Sequence, residues 1–436
     1  MLIEFTVGNF RSFRDPQTLS LVAAPIKSKD PELDENTVIK TAANPDLLTS
    51  AAMYGANASG KSNLVRALAF MKRFVMHSLK ETKATGGIQV EPFRLHAATV
   101  GQPSHFEIVF IEGGKRYRYG FEVTKERVTA EWLFFVPSTR EARLFEREGD
   151  DITVGSYFKE GRDLEQHTRP NALFLSVVAQ FNGPKAQKLV TWFGRLGIIS
   201  GVDDIGMMPF TLMQLVEGEH SEAIKQLVCR LDLGIGDLQV EKTVRSKPQL
   251  PDEMPDEIRQ AFLTIMNASD ADERLSIHTI HTQYDHEGNP VGQELFELDE
   301  HESEGTQKLF SMSGPLLDTL QKGRVLVVDE LDARLHPLMT REIISLFNHK
   351  ATNPNGAQLI FNTQDTNLLD NRLFRRDQIW FVEKDQQGAS HLYSLAEFKV
   401  RNDKDYERGY IQGRYGAVPY LSHIQTIVGG EYAAKS

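Results

Sequence analysis

A chain of 436 residues, 40% hydrophobic and 25% charged, has the balance of a globular protein of one large domain with an insertion, or of two domains, and excludes extensive disorder. With 49 basic and 60 acidic residues the net charge is −11, which excludes a global attraction for nucleic acid and confines any such contact to a local patch or a partner. The lone Cys229 excludes an internal disulfide and fits a reducing cytoplasm; its setting, EAIKQLVCRLDL, predicts a buried structural thiol.

The opening MLIEFTVGNF alternates and carries Glu4, unlike the basic, continuously apolar start of a signal peptide. Ile3, Phe5 and Val7, a turn at Arg14-Asp15-Pro16 and the run TLSLVAA predict a β-hairpin. Residues 25–46 are polar and read as a loop. The segment LLTSAAMY predicts a strand, and KSNLVRALAFMKRFV a helix, with Leu64, Leu68, Met71 and Val75 at helical spacing. The runs FEIVFI, YRYGFEV and EWLFFV predict an antiparallel meander. From about 165 to 270 the pattern is mostly helical. Met207, Met208 and Met213 there read as packing filler. A second hairpin follows, LSIHTIHTQY with GQELFELDE, then a helix over 305–321 and the buried strand RVLVVDE. The runs QLIFNT and QIWFVE add two strands of α/β type. The cluster Arg372, Arg375 and Arg376 reads as a solvated face, and no run approaches the roughly 18 apolar residues that cross a bilayer.

Chemistry concentrates in a few places. Gly55-Ala56-Asn57-Ala58-Ser59-Gly60-Lys61-Ser62 fits G-x-x-x-x-G-K-[ST] between a predicted strand and helix, where backbone N–H groups cradle phosphates. Lys61 supplies charge to the β- and γ-phosphates of ATP, Ser62 a hydroxyl to Mg²⁺, and the helix beginning there its positive dipole end. Alone, this loop reports ATP or GTP binding. The strand Val325 to Val328 ends in Asp329 and Glu330; the first is placed to hold Mg²⁺ and the second to polarise the attacking water. His278, His281 and Asp285 do not make a metal site, because strand alternation puts the two histidines on opposite faces.

Ser303-Glu304-Gly305-Thr306-Gln307, about two dozen residues before Asp329, resembles the signature motif of ABC ATPases, although by itself it reads as a helix cap with Ser303 at the N-cap. In that family the motif of one protomer touches the γ-phosphate bound by the other. Asn9-Phe10-Arg11-Ser12-Phe13 resembles the first-strand motif of the SMC, RecF and OLD branch, which would bring Arg11 near the nucleotide; the bland alternative is a solvated hairpin charge. Ala333-Arg334-Leu335-His336-Pro337 looks like the D-loop of that branch. Gln364, in Phe361-Asn362-Thr363-Gln364-Asp365, stands at the switch position where ABC proteins usually carry His. Gln donates a hydrogen bond but carries no charge, which implies either slower switch-assisted hydrolysis or a nucleotide that mainly gates assembly.

These motifs, with GANASGKSNL, ALFLSVVAQFN, DELDARLHP and GRYGAVP, resemble the AAA15/AAA21 family of bacterial ATPases, the RloA- and AbiLi-like proteins of phage-defence and abortive-infection loci. The resemblance implies an α/β fold: a P-loop NTPase of the ABC type with an N-terminal antiparallel β-subdomain and a mainly helical insertion. The expected parts are 1–155, a first lobe; 156–294, the insertion and partner-docking region; and 295–436, a second lobe. It implies catalytic roles for Glu330, Lys61 and Gln364. Nucleotide contacts fall to Gly55, Ala56, Asn57, Ala58, Ser59, Gly60, Lys61, Ser62, Asn63 and Arg11, and from the other protomer to Ser303, Glu304, Gly305 and Gln307. Ser62 and Asp329 hold Mg²⁺. Partners implied are a second copy in a dimer or higher even-numbered oligomer, a separately encoded TOPRIM or HNH nuclease effector, a phage-derived trigger, and nucleic acid through the complex; no membrane is involved. About 100 residues after Glu330 complete the ATPase and leave no room for a TOPRIM domain. A DNA-binding genome-maintenance ATPase of RecF or SMC kind and an ATP-gated scaffold with little turnover are the alternatives.

Overall fold

The computed structural model describes residues 1–41, 45–81, 86–202, 205–218, 220–231, 234–244, 273–399 and 405–419. The chain forms two compact units, Met1–Asp203 with Asp318–Ser436, and Asp204–Leu317.

The first unit holds two sheets. One has seven antiparallel strands, in spatial order Asp151–Val154, Ala142–Glu148, Val128–Phe135, Lys115–Val123, Ser104–Glu112, Leu2–Gly8 and Gln17–Ser20. The expected N-terminal hairpin and meander are therefore one sheet, extended by two further strands, the charge-rich ARLFERE and the four-residue DITV. The other sheet has six strands in the order Gly197–Ser200, Val325–Asp329, Gln358–Asn362, Ser50–Tyr54, Ile379–Lys384 and Ser390–Ser394. The first five run parallel and the last is antiparallel. Its central strands Val325–Asp329 and Gln358–Asn362 are buried along nearly their whole length because both faces are covered, as their continuous apolar runs require.

The helix Lys61–Glu81 contributes to one apolar core with both sheets: Leu64, Leu68, Met71 and Val75 pack with Phe5, Phe106, Phe121, Met53, Val327 and Ile360. Phe174, Leu175, Val178, Leu189, Trp192 and Phe193, from helices Phe174–Gln180 and Pro184–Arg195, join the same core. Residues 156–203 accordingly sit with the first unit, so the compact units divide at other points than the expected 156 and 294. Within the expected loop at 25–46 a short helix, Pro31–Thr37, forms because Asp30 accepts from Glu32 N and Pro31 suits the first turn. Arg375 departs from a solvated face: it is 3% exposed and its guanidinium donates to Asp377 at 2.8 and 3.0 Å and to Asp34 at 2.5 Å.

The second unit contains helices Met208–Glu217 and Ser221–Leu231 and a three-stranded antiparallel sheet, Ile235–Val244, Glu273–Tyr284 and Pro290–Glu297. Its core joins Leu215, Ile224, Val228, Ile235, Leu238, Ile277, Leu298 and Phe310, with Cys229 and Met208 partly buried against it; Met213 stands 48% exposed. The part of the expected helical stretch at 245–272 lies outside the described residues. The expected hairpin at 275–300 is present, with its second strand ending at Glu297 and a helical turn at Leu298–His301, and so is the expected helix, as Glu304–Lys322. No helix among the described residues is long and apolar enough to cross a membrane.

Candidate nucleotide site

Residues 55–60 connect the carboxyl end of strand Ser50–Tyr54 to helix Lys61–Glu81, at the end of a parallel sheet where α/β proteins bind ligands. Gly60 has φ +118, and a Cβ there would meet Ser390 Oγ at 2.3 Å and Ser12 Oγ at 2.8 Å. The loop is gripped from both sides: Ser390 Oγ donates to Ser59 O at 2.5 Å, and Asn63 Nδ2 donates to Ser12 Oγ at 2.8 Å. Ser390 N bonds Ser12 O at 2.7 Å and ties the two clamps together. Neither serine belongs to the loop motif; only Ser12, inside NFRSF, lay within a segment the sequence marks.

Lys61 is 6% exposed and its ammonium donates to Gly55 O at 2.5 Å and Ala56 O at 3.2 Å. Burial pushes its pKa below the ordinary lysine value, while Glu330, Asp332 and Asp329 pull it back up. A buried cation facing three carboxylates is a site arranged to take in an anion together with a metal ion. Ser59 Oγ is buried without a partner, so the loop keeps a polar group for a ligand. The residues present thus fit a phosphate chain with Mg²⁺: glycines that a Cβ would obstruct, an orphaned hydroxyl, a buried lysine and Asp329. Ala56, Asn57, Ala58 and Ser62 complete the same loop and are buried less deeply than Gly55, Gly60 and Lys61.

Asp329 ends its strand, and Glu330 follows at φ 57, a left-handed conformation uncommon outside glycine. Asn362, fully buried on the neighbouring strand, holds both. Its amide Nδ2 donates to Asp329 Oδ1, and its Oδ1 accepts from Glu330 N at 2.5 Å. On the other side Gly201 N donates to Asp329 O at 2.5 Å, and a Cβ at Gly201 would lie 2.1 Å from Glu330 O. Asn362 and Gly201 are functional residues that motif reasoning missed; the only signal for Asn362 was its place beside the switch. Asp332 Oδ2 accepts from Gln364 N at 3.1 Å and couples the 330–337 loop to the switch loop. The Gln364 side chain is exposed. His336 caps the next helix, Pro337–Phe347, accepting from Leu338 N at 3.2 Å.

Arg11 stands in a tight turn at φ 50 and is engaged by Glu91: its guanidinium pairs with Oε1 at 3.0 Å and its N–H donates to Glu91 O at 2.8 Å. Ser12, rather than Arg11, is the residue of this turn that touches the phosphate loop. Ser303, Glu304, Gly305 and Gln307 belong to the second unit. There Ser303 Oγ accepts from Thr306 N at 3.1 Å, Gln307 N donates to Ser303 O at 3.0 Å, and Gln307 Nε2 donates to Glu302 O at 3.1 Å. The described residues contain no group of His, Cys, Asp and Glu that could hold a metal ion by itself.

Comparison with known proteins now adds a family. The family described as "AAA domain, putative AbiEii toxin, Type IV TA system" matches residues 50–209 and 218–370, most of the chain, and spans the phosphate loop, the signature and the acidic strand. The chain belongs to the AAA_21 family. No curated protein matches it. Solved structures similar to it include an SMC head bound to the C-winged helix domain of ScpA, 13% identical with a TM-score of 0.43, covering 90% of this chain and 97% of that one. The SMC head domain from Thermotoga maritima is 14% identical, TM-score 0.40, with coverage of 90% and 98%. An SMC head from Pyrococcus furiosus bound to the C-terminal domain of ScpA is 13% identical, TM-score 0.38, with coverage of 90% and 96%.

In this AAA_21 chain Gly60 offers a direct test of the loop at residues 55–62. Gly60→Ala forces a Cβ against two serines in a conformation L-residues rarely adopt, a strain of about 1–3 kcal/mol. Fluorescent ATP-analogue titration should show affinity about tenfold to a hundredfold weaker; unchanged affinity would show that the loop does not hold the phosphates.

Proposed function

We propose that this chain binds and hydrolyses ATP with Mg²⁺, dimerises around the nucleotide, and serves as the regulatory subunit of an abortive-infection type anti-phage complex that controls a separately encoded nuclease. The observation that carries the hydrolytic part is the cluster of Lys61 with Asp329, Glu330 and Asp332, ordered by Asn362. In this reading Lys61 and the loop N–H groups bind phosphate, Ser62 and Asp329 hold Mg²⁺, and Glu330 takes the proton of the attacking water. Mg²⁺, when bound, neutralises charge on the phosphate oxygens. Ser303 to Gln307 of one protomer face the nucleotide of the other, with the N-terminus of helix Glu304–Lys322 directed at it. The toxin–antitoxin wording of the family description supports action with a partner gene product. Residues 204–317, a compact unit with its own core, are the proposed docking region for the effector or a phage-derived trigger.

A second reading, an ATP-gated scaffold with little turnover, is favoured by Gln364, whose exposed amide cannot carry charge. Single-turnover phosphate release with and without duplex DNA separates the readings. The proposal expects slow release that Lys61→Ala abolishes, Gln364→His accelerates and DNA leaves unchanged. Stimulation by DNA would favour a genome-maintenance ATPase, and no release from the intact complex would leave the scaffold.

A further inference from the structure

The residue in front of the signature segment is fastened to a strand by hydrogen bonds that no step described so far uses. The Glu302 side chain is 11% exposed and turns inward. Its Oε1 accepts from His281 Nε2 at 2.7 Å and from the hydroxyl of Thr279, which is fully buried. Thr279 and His281 are two apart on strand Glu273–Tyr284, so alternation places both on the face that meets Glu302. Phe296, the cross-strand partner of Thr279, sets its ring 4.7 Å from that of His281 and 5.6 Å from that of His301. His301 Nδ1 in turn accepts from Glu297 N at 3.1 Å. The carboxylate can only accept, so His281 carries its proton on Nε2 in this bond.

The main chain of the signature segment hangs from the same point. Gln307 Nε2 donates to the carbonyls of Glu302 at 3.1 Å and Asp299 at 3.3 Å, and Ser303 caps the helix that follows. A carboxylate hydrogen-bonded to a histidine is a poor way to hold this unit together. An apolar core, Ile277, Leu298 and Phe310, already does so, and a partly buried carboxylate costs desolvation that an apolar side chain would avoid. What the pair supplies is direction: two donors from one strand face fix one oxygen, and with it the backbone that delivers Ser303. It also turns a carboxylate away from a segment expected to meet a phosphate.

We propose that His281 and Glu302 are positioning residues of the signature segment, holding Ser303 to Gln307 in the orientation that engages the nucleotide of a second copy. This rests on the shared-site reading above. Neither residue touches nucleotide; both act through residues 303–307. Their loss displaces donors aimed at developing phosphate charge, for which misplacement on the ångström scale costs about a hundredfold in rate.

The test is complementation between full-length variants. Alone, His281→Ala and Lys61→Ala each hydrolyse ATP poorly, while His281→Ala protomers bind a fluorescent ATP analogue as the native chain does. Mixed in equal amounts, they should recover roughly a quarter of native hydrolysis, because half the dimers are mixed and each carries one intact site. Gly305→Asp mixed with Lys61→Ala is the reference. If the reference recovers and the His281→Ala mixture does not, the positioning role is overturned and the shared site stands. If the reference also fails, the shared site falls and takes the positioning role with it. Glu302→Leu removes both hydrogen bonds in an apolar side chain of similar size. It should lose hydrolysis alone and recover it with Lys61→Ala at a temperature where circular dichroism shows it folded; native hydrolysis by Glu302→Leu would also overturn the role. His281→Gln, which keeps a donor, should restore most of the rate.

Discussion

Replacing Glu330 by glutamine should lower phosphate release by about 10²–10⁴-fold, the range of a lost general base, with ATP affinity close to native. The substitution keeps size and hydrogen-bonding shape and removes only the proton acceptor. The surroundings leave Glu330 little freedom to be replaced by a neighbour. Its backbone sits at φ 57, its N–H is bonded to Asn362 Oδ1, and its carbonyl is closed off by Gly201. Asp332 is occupied with Gln364 N through one oxygen, and Asp329 is bonded to Asn362. Rapid-quench phosphate release reports the rate, and equilibrium titration the affinity. Equal loss of binding and rate would assign Glu330 to ligand binding instead of chemistry. An unchanged rate would remove it from the mechanism.

Glu131→Ala is expected to destabilise the first unit by about 3–5 kcal/mol, the cost of breaking a buried ion pair by removing one partner. Glu131 has no exposed surface and lies between two elements. Its oxygens accept from Phe174 N at 2.6 Å and Leu175 N at 3.1 Å, at the start of helix Phe174–Gln180, and from Tyr119 OH at 2.9 Å on the sheet. Arg147 lies 3.9 Å away with its side chain 1% exposed, donating to Ala172 O at 2.7 Å and Gly149 O at 2.9 Å. Burial raises the carboxyl pKa, with Arg147 and the two helix N–H groups opposing. Alanine would strand the guanidinium, two N–H groups and a phenol together. Urea unfolding followed by circular dichroism measures the loss. Glu131→Gln keeps one acceptor oxygen and should cost less than alanine; equal effects would assign the stability to the charge and the second acceptor.

The parts of this fold legible in the sequence are those with one strong period and a nearby terminator. Helix Lys61–Glu81 announces itself through Leu64, Leu68, Met71 and Val75 after a glycine-bounded loop, and strand Val325–Asp329 through an unbroken apolar run. Strand Gly197–Ser200 was not legible, since four residues following a helix carry no period. It exists because Ile198 and Ile199 pair in register with Val327 and Val328. The site shows the same division. The groups proposed to meet phosphate or metal fall at fixed spacing and can be read directly. Those that hold them, Ser12, Ser390, Asn362 and Gly201, come from four separate segments and converge only through sheet order. Thr279, His281 and Glu302 are of this second kind: alternation shows that His278 and His281 face apart, but not that Glu302 returns to meet one of them.

The account stands most directly on an ATP site shared between two copies. Glu330→Gln should let ATP accumulate unhydrolysed and so hold the closed form, because bound nucleotide stabilises whichever state binds it. Sedimentation velocity of Glu330→Gln with Mg²⁺ and ATP, beside the same protein without nucleotide and the Lys61→Ala, Glu330→Gln double variant, decides the matter. A shift to twice the protomer mass is expected only for Glu330→Gln with ATP. An unchanged protomer mass in all three samples, or an equal dimer in all three, would contradict it.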